Sequence, residues 1–267
     1  MGVGTTTPAG ALDIVSTTSG IVLPRVANSS VVVNPNGGAI ENGTMVYDLS
    51  ANCVKFYANG AWTGCIQFAA APPPTSQVKS DDSGGFYTFL SHNLGADSSL
   101  DPHTPVKGLN GDYYQWGKNA PDADVDALIG STWGDQGGTT ANGNWTPGAK
   151  GPQDPCPAGY RVPSSAEWTA VKTTNTVSRT GPFDVNTSEF GSALHYGTEV
   201  DPKLLTLPAA GDHQASGTLF GRGNSGNYWS STENGTNANY LYFNSSLVHP
   251  AINYYRTLGF SVRCIAE

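Results

Sequence analysis

The stretch AAAPPPTSQ, residues 69–77, limits most strongly what this chain can become. Three consecutive prolines, Pro72, Pro73 and Pro74, remove three backbone donors and fix φ near −65°, so neither a helix nor a central strand can run through them. An extended, semi-rigid spacer is the conformation left. It divides the 267 residues into a short module over 1–68, a Pro-rich linker over 69–85 and a larger domain over 86–267.

Ahead of the spacer, β-branched and polar residues alternate and are cut by Asn-Gly and Gly-Gly turns, the pattern of a small β-rich module. Some 65 strand-heavy residues bury little apolar surface alone, which points to a partner chain. Beyond the spacer, helix signals are few. The best is PSSAEWTAVKT, with Ser164 or Ser165 as N-cap, Glu167 in the first turn and an apolar face through Trp168 and Val171. Weaker helical patterns run over 122–131 and 188–195. With 33 glycines, 18 prolines and only 13% charged residues, the remainder reads as turns, short strands and long ordered loops.

The four cysteines allow three pairings. Cys53 with Cys65 is favoured, because the strand-like runs CVKFYA and AWTGC flank the turn Asn59-Gly60 as a hairpin does. Cys156 with Cys264 would then close most of the second domain, a constraint of roughly 4 kcal/mol in the chain-entropy picture. Four buried free thiols are the other reading.

A net charge of −8 offers no basic stripe for nucleic acid or anionic lipid. No window approaches the roughly 18 apolar residues of a membrane helix, so no membrane insertion is expected. The start MGVGTTTPAG lacks the basic and apolar regions of a signal peptide, which leaves a trimmed leader or release by another route such as virion assembly.

Five phrases, DYYQWGK (112–118), DPCPAGYRVPSSAEW (154–168), LPAAG (207–211), NYWSST (227–232) and GFSVRC (259–264), occur in an order and spacing that resembles the major paralogous domain first noted in Fibrobacter. That resemblance covers roughly residues 86–267. It implies an α+β, C-type-lectin fold with few helices, small antiparallel sheets and long ordered loops, related to formylglycine-generating enzymes. The phrases PAGALDIVS and GIVLPRV are similar to those of phage tail fibres and surface adhesins, and imply a mounting module, commonly trimeric. An extracellular place on a virion tail fibre or bacterial surface follows from the same resemblance.

The C-terminal segment also resembles the variable region of proteins diversified by retroelements, which rewrite adenines in the codons of a ligand-binding surface. Residues 224–255 hold 7 Asn, 5 Tyr and 5 Ser with a single formal charge, Glu233. Such residues also dominate antibody paratopes, where Tyr supplies rigid contact area and Ser and Asn supply adaptable hydrogen bonds. The resemblance implies a variable region over about 212–258. Its ligand-contacting positions would be Asn224, Ser225, Asn227, Asn239, Tyr240, Tyr242, Leu247, His249, Ile252, Asn253, Tyr254, Tyr255, Thr257 and Leu258. Asp212, His213, Gln214 and Phe220 form a second tier. Trp229, Phe243, Phe260, Val262 and Cys264 take framework roles, alternating with polar neighbours as buried strand residues do. The bland reading of the segment is an ordinary half-buried sheet edge whose Asn and Ser make turns.

A protein or glycan ligand is therefore the expected partner, bound without catalysis and without a cofactor. The alternative is a structural adhesin or fibre tip that uses the same surface to oligomerise. A formylglycine-generating activity needs reactive thiols, and Cys156 and Cys264 are both assigned to a bridge, so an enzyme is the least favoured outcome. Calcium-dependent sugar binding would require carboxamide and carboxylate ligands after Trp229, where Ser230 stands instead. Asp122, Asp124 and Asp126 resemble the start of a calcium loop but lack its glycine and closing glutamate, so a solvated helix start is preferred to a structural ion. The five histidines show no paired ligand spacing, and no GxSxG, Walker or dinucleotide-binding motif occurs.

Overall fold

The computed structural model describes residues 2–3, 13–14, 22–65, 75–129, 133, 141–185, 189–197 and 205–267. Pro72 to Pro74, the start of the phrase GIVLPRV and most of PAGALDIVS, and Ser188 of the weakest helical pattern lie outside the described residues. The chain is mainly β, with one α-helix among the described residues and several small sheets. It divides into two units, Met1–Ala71 and Pro72–Glu267.

In the first unit β1 (Gly2–Val3) pairs in parallel with β2 (Asp13–Ile14). A four-stranded sheet follows, in the order β3 (Arg25–Val26), β4 (Met45–Asp48), β5 (Cys53–Ala58), β6 (Ala61–Trp62). The β5–β6 turn uses Asn59 at φ 54° and Gly60 at φ 78°, the two left-handed residues a tight hairpin requires. Cys53 is bonded to Cys65 across this hairpin. The buried Asp48 accepts from the Ser29, Ser50 and Ala51 amides and from Lys55 Nζ, which ties the loops to the sheet. Little else is enclosed: Val46 is buried, while Val22, Val33 and Leu49 stand exposed.

The second unit opens with β7 (Thr75–Lys79), hydrogen-bonded along its length to β8 (Phe86–Leu90). The linker expected over 69–85 thus stops short of Thr75, because Ser76 and Val78 alternate inward and the strand completes a sheet edge. Three further elements are β9 (Tyr113–Gln115), β10 (Tyr160–Arg161) and α1 (Ser165–Thr174). They are followed by β11 (Val177–Thr180), β12 (Ala193–Tyr196), β13 (Leu205–Pro208), β14 (Asp212–His213) and β15 (Leu219–Phe220). The chain ends through β16 (Gly226–Asn234), β17 (Asn237–Phe243), β18 (Val248–Tyr255), β19 (Gly259–Ser261) and β20 (Ile265–Ala266). The largest sheet runs β15-β14-β19-β16-β17-β18, with β9 against β19. Smaller sheets run β10-β20-β8-β7 and β11-β12-β13.

Helix α1 starts on a capping box: Ser164 Oγ accepts from the Glu167 amide at 3.2 Å and the Glu167 carboxylate accepts from the Ser164 amide at 2.7 Å. The Arg161 guanidinium grips the same carboxylate in a fork, at 2.9 and 2.5 Å. Neither of the other two helical patterns forms a helix among its described residues. Asp124 accepts from the amides of Asp126 and Ala127, a side-chain turn that competes with helical bonding. Residues Ala193–Tyr196 instead form the central strand of the three-stranded sheet. Leu194 and Tyr196 are buried there in the core with Trp168 and Phe243.

The five phrases meet in the interior. Trp168 donates to the Trp229 carbonyl, Trp229 to the Tyr114 carbonyl at 2.7 Å, and Trp116 to the Ser230 carbonyl at 2.8 Å. Tyr113 Oη donates to the Ala210 carbonyl at 2.5 Å, and Tyr228 Oη to the Pro208 carbonyl at 2.8 Å. Arg263 is fully enclosed, with its guanidinium on Asn93 Oδ1 at 2.7 and 3.1 Å, and Asn93 in turn donates to Tyr228 Oη. Burial lowers the Arg263 pKa to about 10, which leaves it charged at neutral pH. Bulky aromatics whose polar tips all find carbonyls specify one packing, because any other leaves a donor buried without a partner. Cys156 is bonded to Cys264 at the edge of this core, closing 108 residues. The expected alternation around Phe260 and Val262 gives way to complete burial, with Ser261 and Arg263 as enclosed as their neighbours.

Candidate functional site

The last three long strands carry the surface of interest. β16 and β17 join through a tight turn at Gly235, and β18 is the last strand of the sheet, paired on one side only among the described residues. Register slips between Trp229 and Glu233 in β16 and between Tyr240 and Tyr242 in β17 bend the sheet. Arg256 anchors the far end of the hairpin, with its guanidinium on the Asn237 and Gly235 carbonyls and over the Trp116 ring at 4.2 Å.

Beside the bent strands the β14–β15 hairpin and the turn over 221–225 enclose a concavity of about 220 Å³. Its wall includes Asn224, Ser225, Asn227, Tyr240, Tyr242, Tyr254 and Leu258, half of the ligand-contacting positions expected from sequence, together with Asp212, Gln214 and Phe220 of the second tier. Burial pushes the Asp212 carboxyl up to about 6, while a hydrogen bond from Gln214 Nε2 works in the opposite direction. Asn227 Nδ2 reaches the other carboxylate oxygen at 3.3 Å and the Gly211 carbonyl at 3.2 Å.

Outside the concavity, Tyr254 and Tyr255 meet edge to face at 5.0 Å, 45% and 60% exposed, so Tyr254 serves both the rim and the outer face. Ile252 and Asn253 are also exposed, and so are Leu247 and His249 toward the other end of the strand, where the His249 ring lies nearly parallel to Tyr242.

The expected contact positions differ in how they are placed. Ser225, Asn227, Tyr240 and Leu258 are buried, so they build the wall rather than stand free on a surface. Tyr240 packs at 4.6 Å against Phe260 and edge-on to Trp229, which makes it core as well as lining. Asn239 points the other way, toward Ser165 at the start of α1. Thr257 contributes its carbonyl to Gln115 and Trp133, a structural use of the backbone. His213 turns from the concavity and packs flat on Trp133 and edge-on to Tyr113, with Nδ1 on the Gly217 carbonyl. Phe260, assigned to the framework, lines the concavity too.

Sequence reasoning missed a neighbouring hollow of about 380 Å³, formed by Val185, Glu189, Leu219, Gly221 and Arg222 and sharing Phe220 and Asn224 with the first. Phe220 forms the ridge between them, 65% exposed. The signal available was an aromatic in the polar run HQASGTLFGRG, where a turn alone has no need of one.

Asp122, Asp124 and Asp126 do not converge: Asp122 pairs with Lys118 at 2.9 Å, Asp126 with Lys107 at 2.5 Å, and Asp124 holds backbone amides. Among the described residues no three His, Cys, Asp or Glu side chains gather as a metal site.

Residues 69–266 match the family model described as Fibrobacter succinogenes major domain. The chain belongs to that family. Within this Fibrobacter major domain lie all five interlocked phrases and both hollows. Residues 2–81 match a second model, the phage tail like trimerisation region, which is compatible with homo-oligomerisation. No curated protein and no solved structure matches the chain. Among the described residues no helix is long and apolar enough to cross a membrane.

Proposed function

We propose that the protein is a non-enzymatic ligand-recognition module of a fibre or adhesin, carried outside the cell. The C-terminal surface around β17, β18 and the Asp212 concavity would hold a protein or glycan. The observation that carries this reading is the exposed pair Tyr254 and Tyr255 on the terminal strand, beside a polar hollow and framed by a buried aromatic core. Aromatic anchors with a ring of polar contacts are the usual energetic centre of a binding surface. The match of residues 2–81 to a phage tail like trimerisation region supports a mounting role, with the exposed Val22 and Leu49 as the apolar face a second copy would cover. Two disulfides fit an oxidising, extracellular setting.

In this reading the fold is of the C-type-lectin kind and residues 212–258 form a retroelement-diversified region. A near-copy of the codons for 224–264, with adenines at the exposed positions, beside a reverse transcriptase gene would support the diversification. Binding is favoured over catalysis because Cys156 and Cys264 are spent on a bridge and offer no thiol.

The test is the double variant Tyr254→Ala, Tyr255→Ala in the full chain, labelled and titrated against a panel of bacterial cells. Loss of cell binding with a melting temperature within about 2 °C of the parent is expected, since both rings are largely exposed. Binding that survives, or a collapse in melting temperature, would sink the proposal. The oligomerisation alternative is read from the same variant by light scattering, where dissociation would identify the tyrosines as interface.

A further inference from the structure

The concavity beside β17 contains one formal charge. Asp212 is 6% exposed, and its two oxygens accept from the carboxamides of Gln214 and Asn227. The other two fully buried carboxylates described in the unit face cations: Asp154 meets Lys150 and Glu167 meets Arg161. Among the described residues no Lys, Arg or His side chain pairs with Asp212.

A buried carboxylate supported only by neutral donors is costly. Burial pushes the carboxyl up to about 6, so it is charged at neutral pH in surroundings that disfavour charge. The rest of the wall is electron-rich or neutral: Phe220, Tyr240 and Tyr254 supply aromatic rings, and Asn224 and Ser225 supply uncharged polar groups. Aromatic rings attract cations over their faces, and a carboxylate beside them adds a full charge in a place where water is scarce. A volume of about 220 Å³ admits a side-chain-sized group rather than an extended chain.

We propose that this concavity is a cation subsite, in which the Asp212 carboxylate, steadied by Gln214 and Asn227 and flanked by Tyr240 and Tyr254, receives an ammonium or guanidinium group of the ligand. The inference rests on the reading of this surface as ligand-binding and narrows its chemistry. A guanidinium suits the site because it can donate to carboxylate and phenol oxygens together and stack on a ring.

The experiment is calorimetric titration of the full chain with two matched pairs. Nα-acetylarginine amide is compared with Nα-acetylcitrulline amide, its neutral isostere, and glucosamine with N-acetylglucosamine. One pair represents a protein side chain and the other an amino sugar. The charged member of at least one pair should bind on the order of tenfold more tightly than its neutral partner, and Asp212→Asn should erase that preference. Tyr254→Leu should weaken the charged probe while leaving its neutral partner unchanged, a charge-selective loss that a purely structural role for the ring would not give. No preference for the charged member in either pair, no binding of any probe, or a preference that survives Asp212→Asn would each overturn the proposal. A chain that still binds cells through Tyr254 and Tyr255 while showing no charge preference would overturn this inference alone.

Discussion

Replacing Asp212 by Asn isolates the cost of holding that carboxylate in place. In the folded chain its pKa rises from the ordinary 3.8 to about 6, chiefly through burial. The folded state therefore holds this proton more tightly than the unfolded one. Between about pH 4 and 6 it binds more protons than the unfolded chain, so stability falls as pH rises and the loss is complete above the folded value. A shift of about two units at 1.36 kcal/mol each amounts to roughly 3 kcal/mol. Asn at 212 carries no charge and feels none of this. It also keeps only one acceptor for Gln214 and Asn227, so a constant penalty of about 1 kcal/mol is expected at every pH. The quantity to measure is the stability difference between Asp212→Asn and the parent, by urea unfolding at pH 3.5 and pH 7. Tryptophan fluorescence reports on it, since Trp116, Trp145, Trp168 and Trp229 are all buried in the second unit. The variant should gain about 3 kcal/mol on the parent between the two conditions. A difference that does not change with pH would refute the account of Asp212 as a charge held against the preference of its site.

Breaking the Cys156–Cys264 bridge by Cys→Ser at both positions should cost the second unit about 4.7 kcal/mol, the chain-entropy figure for a loop near 100 residues, read as a lower urea midpoint. A loss below about 1 kcal/mol would mean that the unfolded chain is already constrained. Gly226→Ala places a Cβ 2.2 Å from Cζ of the enclosed Phe243 ring, so a loss of about 1–3 kcal/mol or more is expected in thermal melts. A variant as stable as the parent would show that the ring can move aside. Leu49→Asp puts a charge on the exposed apolar face of the first unit and should lower the assembly state seen by analytical ultracentrifugation, whereas an unchanged mass would place the contact elsewhere.

The sequence alone determined those elements whose causes are local. The capped helix α1 was legible because Ser164 and Glu167 satisfy each other's backbone three residues apart. The first hairpin was legible because Asn59-Gly60 can take two left-handed conformations in succession. The five phrases marked the family, since four place aromatic or charged groups in the interior and the fifth, LPAAG, supplies the Pro208 and Ala210 carbonyls that two buried tyrosines require. The two other helical patterns misled because a side-chain turn at Asp124 and a sheet position at Leu194 outweighed weak helical preference.

Only the tertiary structure decided which of the polar C-terminal residues are free. Composition treats Tyr240 and Tyr255 alike, yet one is wedged against Phe260 and the other stands in solvent, because Tyr240 lies on the inner strand β17 and Tyr255 at the end of β18, the last described strand of the sheet. The same long-range pairing brings the β14–β15 hairpin against β19 and sets Asp212 beside Tyr240 and Tyr254, residues 28 and 42 positions away in the chain. A charge becomes costly, and therefore available to a ligand, only when distant segments exclude water around it, and no local pattern in a sequence records that exclusion.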